Sequence, residues 1–533
     1  MNTKGIITAI VTIAIGVILT TGVLVPVIQD VSNNDAETGI KKVCTSGTTT
    51  WVVTNDGRLF GCGLNLDYQQ GSGDAVEKVS TFTQRLENEK IKDVVADSGL
   101  TWVLTEDGKL FGCGSNGYGQ QGIGTYDTVQ TFTQHLENEK IKEISGIGSI
   151  TWIITTDGKL YSCGKNTSSE QGVYTEDHTT EFTQNFTGGK VKEVINNNNS
   201  ATWIITEDGK LFSCGNNGYG EQGIPVDGNN VTVFTPRLEN ETVKKVEYSG
   251  SETWIVTTDG KLFGCGRNNW GEQGSGTSGA DTNVTEFTQR LTNENVKDVF
   301  SSGQETWVVT TDGKLFGCGR NNYGQQGSGD TTNVTTFTQR LNNESVEKVY
   351  SFSYATFVIT TDGKLFSCGR NNTYQQGISD TSNVTEFTQR LVGETVKEMV
   401  SSFGATAIIT TDGKLFMYGS NSGGNQGSGD TQDVQTITQR AEDLTVDKFA
   451  MDRGCSWIIT DDGRLFGCGR NDGGQQGLGV DDQTINTFTE HDFGEPESSG
   501  GVSPTISAML SVIPLIVIVG LIVGTVGYFL RKQ

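Results

Sequence analysis

The chain has few of the residues that would indicate an enzyme, a polytopic membrane protein or a nucleic-acid-binding protein. Its 533 residues include 6 prolines and 3 histidines, and 34% are hydrophobic. So low a hydrophobic fraction excludes a polytopic membrane protein. No Lys- or Arg-rich run interrupts a background of formal net charge −24, which would repel the phosphates of nucleic acids. We therefore expect no nucleic-acid partner.

Signatures of catalysis are lacking as well. His135, His178 and His491 belong to no nucleophile constellation, and the sequence has no G-x-S-x-G, P-loop, Rossmann or H-E-x-x-H motif. The Asp-x-Asp-x-Asp-Gly pattern of calcium-binding loops is missing too. We predict no catalytic residue, no cofactor and no metal site, and we expect a protein that is not an enzyme.

Two apolar segments, residues 6–28 and 506–530, are each long enough to cross a bilayer, which takes about 20 residues. Lys4 precedes the first segment, and Arg531 and Lys532 follow the second, so the positive-inside rule places both termini in the cytoplasm. A cleaved signal peptide and pilin-like processing after Lys4 and Gly5 are alternatives for the first segment. We predict a cell-membrane protein whose central body is extracellular.

A repeat fills the region between these segments. Asp-Gly followed by Lys or Arg and then Leu recurs nine times, about every 50 residues, with the glycines at Gly57, Gly108, Gly158, Gly209, Gly260, Gly313, Gly363, Gly413 and Gly463. In the sixth unit, β-branched and aromatic runs predict strands at 296–300, 306–310, 314–318 and 334–341. Four short strands per unit are typical of a propeller blade.

We therefore predict an all-β fold, a β-propeller of about nine four-stranded blades flanked by one transmembrane helix at each end. An open β-solenoid, or seven blades in a ring with two outside it, are the alternatives. The predicted segments are an anchor (1–28), a linker (29–39), the propeller (40–493), a Gly/Ser/Pro linker (494–505), a second transmembrane helix (506–530) and a basic tail (531–533).

One unit suggests a family. Residues 311–330, T-D-G-K-L-F-G-C-G-R-N-N-Y-G-Q-Q-G-S-G-D, resemble the repeat of the regulator of chromosome condensation family, a family of β-propellers. Both place an Asp-Gly turn before an aromatic-Gly-x-Asn-x-x-Gly-Gln-x-Gly loop. The resemblance covers all nine units, although the family usually has seven blades and usually has Trp where this chain has Cys. The resemblance implies a propeller and suggests guanine-nucleotide exchange. An extracellular location would, however, separate this chain from a cytosolic GTPase.

Three sets of residues recur or pair across the units. Cysteines occupy one column, at Cys62, Cys113, Cys163, Cys214, Cys265, Cys318, Cys368 and Cys468, and aromatic residues occupy another, at Trp51, Trp102, Trp152, Trp203, Trp254, Trp307, Phe357 and Trp457. We interpret both columns as core between blades. Ala407 replaces the aromatic residue in the eighth unit, where we expect looser packing. Cys44 and Cys455, in the first and ninth units, are a candidate disulfide that would lock the ring.

The candidate contact residues lie in loops. They are the aromatic residues Trp270, Tyr219 and Tyr323 at one loop position, and Arg267, Arg320, Arg370 and Arg470 after the Cys-Gly pair. Candidate glycosylation sites are Asn230, Asn283, Asn333 and Asn383. We expect a membrane-anchored extracellular module that binds a protein or a glycan. A structural cell-envelope protein is the alternative, and an exchange factor or an enzyme is the third hypothesis.

Overall fold

The computed structural model describes residues 39–494 except 75, 98, 146–147, 175–176, 197–200, 453 and 481–483. The compact unit that ends at His491 holds all of the described strands, and only residues 492–494 of the second unit, Asp492–Gln533, are described. Both predicted membrane segments lie outside the described residues. Within residues 39–494, no helix has the length and apolar character needed to cross a bilayer.

The described residues form nine antiparallel sheets of four strands, and the strands of each sheet follow one another in chain order. Each sheet is one blade. Blades 1 to 3 comprise β1 (Ile40–Thr45), β2 (Thr49–Thr54), β3 (Leu59–Leu64), β4 (Lys78–Arg85), β5 (Ile91–Asp97), β6 (Leu100–Thr105), β7 (Leu110–Gly114), β8 (Val129–His135), β9 (Ile141–Ser145), β10 (Ile150–Thr155), β11 (Leu160–Gly164) and β12 (Thr179–Phe186).

Blades 4 to 6 comprise β13 (Val191–Ile195), β14 (Ala201–Thr206), β15 (Leu211–Gly215), β16 (Val231–Arg237), β17 (Val243–Tyr248), β18 (Glu252–Thr257), β19 (Leu262–Gly266), β20 (Val284–Arg290), β21 (Val296–Ser301), β22 (Glu305–Thr310), β23 (Leu315–Gly319) and β24 (Val334–Arg340). Blades 7 to 9 comprise β25 (Val346–Phe352), β26 (Ala355–Thr360), β27 (Leu365–Gly369), β28 (Val384–Arg390), β29 (Val396–Ser402), β30 (Ala405–Thr410), β31 (Leu415–Gly419), β32 (Val434–Arg440), β33 (Val446–Asp452), β34 (Cys455–Thr460), β35 (Leu465–Gly469) and β36 (Ile485–His491). A single-turn 3₁₀ helix, Ala280–Thr282, precedes β20.

The Asp-Gly dipeptide closes the turn between the second and third strands of each blade. In blade 6, Thr310 Oγ1 donates to Asp312 Oδ1 at 2.5 Å and accepts the backbone N–H of Lys314 at 2.9 Å. Gly313 has a φ of 82°, a left-handed conformation that costs glycine little. The predicted hairpin is therefore confirmed, and the four strands of blade 6 lie within one residue of the predicted bounds.

The second strand of each blade is buried along its whole length and carries the aromatic column. Trp307 pairs with Gly317, where an added Cβ would lie 2.4 Å from the indole ring. The same indole meets the edge of Phe387 in the next blade, with ring centroids 5.8 Å apart. The aromatic column is therefore core between blades, as the sequence predicts.

The expectation of looser packing at Ala407 is wrong. Its partner across the strand pair is Met417, where other blades have Gly or Ser. Ala407 and Met417 are both buried, and they pack with Ile458 and Phe466 of the ninth blade. The longer methionine fills the volume that an aromatic ring takes in the other blades.

In blades 1 to 7, the cysteine column links each blade to the one before it in the ring. Cys318 Sγ donates to the backbone carbonyl of Glu272 in blade 5 at 3.2 Å, and Thr306 Oγ1 donates to the same oxygen at 2.9 Å. Burial raises the pKa of the Cys318 thiol well above its usual value. These cysteines are therefore protonated core residues that also donate hydrogen bonds.

Nine blades close into one ring. Cys62 of the first blade donates to the carbonyl of Gln475 in the ninth at 3.4 Å, repeating the link between other neighbouring blades. Ile40 N donates to Gly463 O at 2.9 Å, and the Phe82 and Trp457 ring centroids lie 6.0 Å apart. The open solenoid and the seven-plus-two arrangement are therefore excluded.

The predicted disulfide between Cys44 and Cys455 is not formed, and both residues are free thiols. Cys44 lies on the first strand of its blade, opposite Trp51, whereas Cys455 begins the second strand of its blade, opposite Gly469. The two cysteines thus occupy different strand positions in neighbouring blades. Ring closure relies on hydrogen bonds and aromatic packing in the structure.

Candidate functional site

Two kinds of loop emerge on one side of the ring, which we call the loop face. They are the short turns between first and second strands and the longer loops between third and fourth strands. The Asp-Gly turns and the connections between blades lie on the opposite side, the turn face, because each blade is an up-and-down meander. The candidate contact residues all belong to the loop face.

A buried asparagine gives each long loop a fixed shape. In blade 6, Asn321 Oδ1 accepts the backbone N–H of Gln326 at 2.8 Å, and Asn321 Nδ2 donates to the carbonyl of Thr332 at 2.9 Å. Gln326 Nε2 in turn donates to Cys318 O at 2.7 Å. The loop is therefore rigid, and it holds Tyr323 at its tip on the loop face.

Three blades contribute to one cluster of aromatic and arginine side chains. The Arg320 guanidinium lies over the rings of Trp270 and Tyr354, 4.7 and 4.8 Å from their centroids. Arg370 lies 5.4 Å from the Tyr323 centroid, and the Tyr323 and Tyr354 rings are 5.2 Å apart. We call these five half-buried residues the aromatic–arginine cluster. It combines ring faces with cations, an arrangement suited to binding flat or anionic groups.

Buried glutamates lie beneath this part of the loop face. Arg267 turns inward, with its Nε 3.2 Å from Glu272 Oε1 and an Nη2 3.8 Å from Glu252 Oε1. Gln325 Nε2 donates to Glu305 Oε1 at 2.8 Å. Burial raises the pKa of Glu252 well above its usual range and also raises the pKa of Glu305. This layer therefore holds more carboxyl groups than its single inward arginine can balance.

The structure unites four of the seven predicted contact residues: Trp270, Tyr323, Arg320 and Arg370. Arg267 serves the buried glutamates, and Arg470 pairs with Asp472 in the ninth blade at 2.7 Å. Tyr219 lies one blade before the cluster and is 40% exposed. Sequence reasoning missed Tyr354, which lies directly before β26 with a left-handed φ of 65°. The sequence feature that could have identified Tyr354 is that it is an aromatic residue at a turn position where the next two units have glycine.

Three of the four predicted glycosylation sites take part in loop structure. The side-chain oxygens of Asn283, Asn333 and Asn383 accept the backbone N–H of the loop asparagine, at 3.2, 3.0 and 3.3 Å, whereas Asn230 is exposed. Glycosylation at these positions stays a prediction. Among the described residues, no group of three or more His, Cys, Asp or Glu side chains is placed to hold a metal ion.

Comparisons with known proteins agree with the repeat and the fold. The family model Regulator of chromosome condensation (RCC1) repeat matches residues 101–120 and 296–325. The secretion-regulating guanine nucleotide exchange factor of Bos taurus is 42% identical over 86 residues, 16% of this chain and 18% of that protein. The X-linked retinitis pigmentosa GTPase regulator of Mus musculus is 33% identical over 133 residues, 24% of this chain and 13% of that protein.

The matched segments thus span less than a fifth of the length of these two relatives. Among solved structures, human WBSCR16 aligns with a TM-score of 0.46 and 17% identity over 74% of this chain and 96% of that one. The family-model match and the two relatives coincide with nine copies of one repeat that fold as nine blades in a ring. The chain is a β-propeller built from repeats of the regulator of chromosome condensation family.

Proposed function

We propose that this protein is a membrane-anchored extracellular propeller that binds another protein through the aromatic–arginine cluster, and that its role is binding rather than catalysis. The observation that carries the proposal is the stacking of Arg320 between the rings of Trp270 and Tyr354, next to Tyr323 and Arg370. Trp, Tyr and Arg are the residues most enriched at energetically dominant positions of protein interfaces. Rigid asparagine-held loops present them with little loss of conformational entropy on binding.

The partner surface that fits this cluster is acidic. Within the described part of the chain, neither Arg320 nor Arg370 forms an ion pair, although the chain as a whole has a net charge of −24. Both guanidiniums are held in place by the aromatic faces beside them. A carboxylate from a partner would find two fixed cations flanked by aromatic rings.

The two apolar segments of the sequence support the location. Residues 6–28 and 506–530 each have the length of a bilayer-spanning helix, and the flanking basic residues favour cytoplasmic termini. The propeller between them would then lie outside the cell. Two anchors on one ring would hold it close to the membrane.

Proximity labelling on intact cells tests the binding role. We expect the double variant Trp270→Ala/Arg320→Ala to lose most of the partners that the wild type labels. Arg464→Ala is the matched control, because Arg464 lies 5.2 Å from the Phe466 centroid on the turn face. Equal labelling by all three proteins would contradict a role for the cluster.

Protease protection on intact cells tests the location. We expect protease added outside to cleave between residues 40 and 493 while both termini stay protected until lysis. Cleavage only after lysis would overturn the extracellular proposal. It would instead favour a role inside the cell, of the kind named for the matched exchange factor and GTPase regulator.

A further inference from the structure

A pocket of about 600 Å³, lined mostly by polar residues, opens on the loop face between blades 8 and 9. Its lining includes Ser420, Gly423 and Asn425 from blade 8 and Gly454 and Arg470 from blade 9, with Phe403 beside them. Phe403 is 72% exposed, which is unusual for a phenylalanine. The pocket begins in the blade that follows the aromatic–arginine cluster, which spans blades 5 to 7, and the two sites share no residue.

The repeat shows which side chains occupy this place elsewhere in the ring. Arg370 N donates to Tyr354 O at 2.9 Å, and Arg470 N donates to Gly454 O at 2.8 Å, so Gly454 is the equivalent of Tyr354. Gly423, two residues after the loop asparagine Asn421, is likewise the equivalent of Tyr323.

Between blades 6 and 7, the rings of Tyr323 and Tyr354 fill this space beside Arg370. Between blades 8 and 9 both positions are glycine, whereas the arginine remains. The pocket therefore includes the space that two tyrosine rings fill between blades 6 and 7, next to an arginine.

The guanidinium of Arg470 is oriented so that an aromatic ring could stack on it. Its Nε donates to Asp472 Oδ1 at 2.7 Å, and its Nη2 donates to the second oxygen of the same carboxylate. This two-point contact fixes the plane of the guanidinium, while half of the side chain stays exposed to solvent. A guanidinium whose plane is fixed and whose charge is already paired offers a flat stacking surface rather than a site for an anion.

From these observations we infer that the pocket binds a tyrosine side chain of a partner protein, which takes the place that Tyr323 and Tyr354 take between blades 6 and 7. The ring stacks on Arg470, and Phe403 covers its outer edge. The phenol hydroxyl meets the polar wall of Ser420 and Asn425; the Asn425 amide contacts only the weak acceptor Met451 Sδ, at 3.6 Å, among the described residues. This inference does not rest on the proposed role of the aromatic–arginine cluster.

The test uses N-acetyl-L-tyrosinamide as the probe and saturation-transfer NMR with the propeller as the readout. We expect saturable binding to the wild type, strongest at the ring protons, and no comparable binding of N-acetyl-L-leucinamide. Gly423→Tyr fills the pocket with the residue that blade 6 has at this position, so we expect at least a tenfold loss of affinity. Arg470→Gln keeps a polar side chain but removes the stacking surface, and a several-fold loss is expected.

Two controls keep the outcome clear. Ser168→Tyr adds the same side chain at the equivalent loop position of blade 3, a blade that contributes no lining residue to the pocket, and is expected to bind the probe as the wild type does. Trp270→Ala/Arg320→Ala should also bind it normally, since the two sites are separate. The inference is overturned if Gly423→Tyr binds as tightly as the wild type, if leucinamide binds equally well, or if a neutral sugar such as maltose binds and tyrosinamide does not.

Discussion

At the scale of single residues, the buried Glu252 ties the stability of the loop face to pH. It begins β18 at a position where most other blades have an apolar residue, and its Oε1 has no hydrogen-bond partner among the described residues. Burial raises its pKa, and the neighbouring Glu272 raises it further. The folded-state pKa lies above the unfolded value, so the folded protein holds this proton more tightly than the unfolded chain does. The stability that the protonated carboxyl allows is fully present at low pH and is lost as pH rises through the folded pKa.

We therefore predict that Glu252→Gln is more stable than the wild type at pH 8. Its free energy of unfolding, measured by chemical denaturation, should be higher by on the order of 1 kcal/mol or more. Near pH 4 the two proteins should have similar stability, since the wild-type carboxyl is then protonated. Glu239→Gln removes a charge from an exposed position and should leave the stability unchanged at both pH values. Equal stabilities of Glu252→Gln and wild type at pH 8 would contradict the prediction.

Part of the candidate site follows from the sequence at this scale, and part does not. Trp270, Tyr323, Arg320 and Arg370 recur at equivalent loop positions, so the repeat itself identifies them. Tyr354 belongs to a different loop of the next blade, and it meets Tyr323 because neighbouring blades place these loops side by side. The inward turn of Arg267 depends on Glu252 and Glu272, which approach one another only in the folded ring. Spacing along the chain cannot report such contacts.

At the scale of a strand pair, Ala407 and Met417 reverse the usual sizes of two paired residues in one blade. Elsewhere a large aromatic residue faces Gly or Ser, as Trp307 faces Gly317, whereas in blade 8 the small residue is on β30 and the large one is on β31. Met417→Gly should destabilise the protein by about 3 kcal/mol, because it leaves a cavity in a closed core. Ala407→Trp alone should also destabilise it, since the ring would overlap the methionine.

The combined variant Ala407→Trp/Met417→Gly restores the arrangement of the other blades, so we predict a stability within about 1 kcal/mol of the wild type. Chemical unfolding of all four proteins gives the coupling energy directly. Additive losses in the double variant would show that the two positions do not share one volume.

The strands themselves were predictable, because each carries its own local signal. Asp-Gly after a β-branched run predicts a hairpin turn, and Gly313 adopts the left-handed φ that the turn requires. The register between strands determines which side chains share one space in the core, and this register cannot be read directly from the sequence. This is why the expectation at Ala407 was wrong although the strand around it was right.

At the scale of the whole molecule, the number of blades follows from the number of repeats, but closure does not. Each blade is formed from one continuous segment, so no strand is shared between the first and last blades. The interface between blades 9 and 1 uses the same contacts as the six interfaces from blade 1 to blade 7, namely a thiol to a loop carbonyl and a tryptophan to a phenylalanine. A ring closed this way leaves no apolar blade face exposed to solvent.

Closure can be tested by comparing equivalent phenylalanines. Phe82 packs on Trp457 across the closing interface at 6.0 Å, and Phe337 packs on Trp254 between blades 5 and 6 at 5.7 Å. In a closed ring, Phe82→Ala and Phe337→Ala remove the same edge-on tryptophan contact, and Phe82→Ala also removes an edge-on contact with His491 at 5.5 Å. We predict that each lowers the free energy of unfolding by about 2–4 kcal/mol, with the two losses within about 1 kcal/mol of each other. A loss near zero for Phe82→Ala beside a full loss for Phe337→Ala would mean that the ring is open in solution, because a phenylalanine at an open end would have no tryptophan to contact.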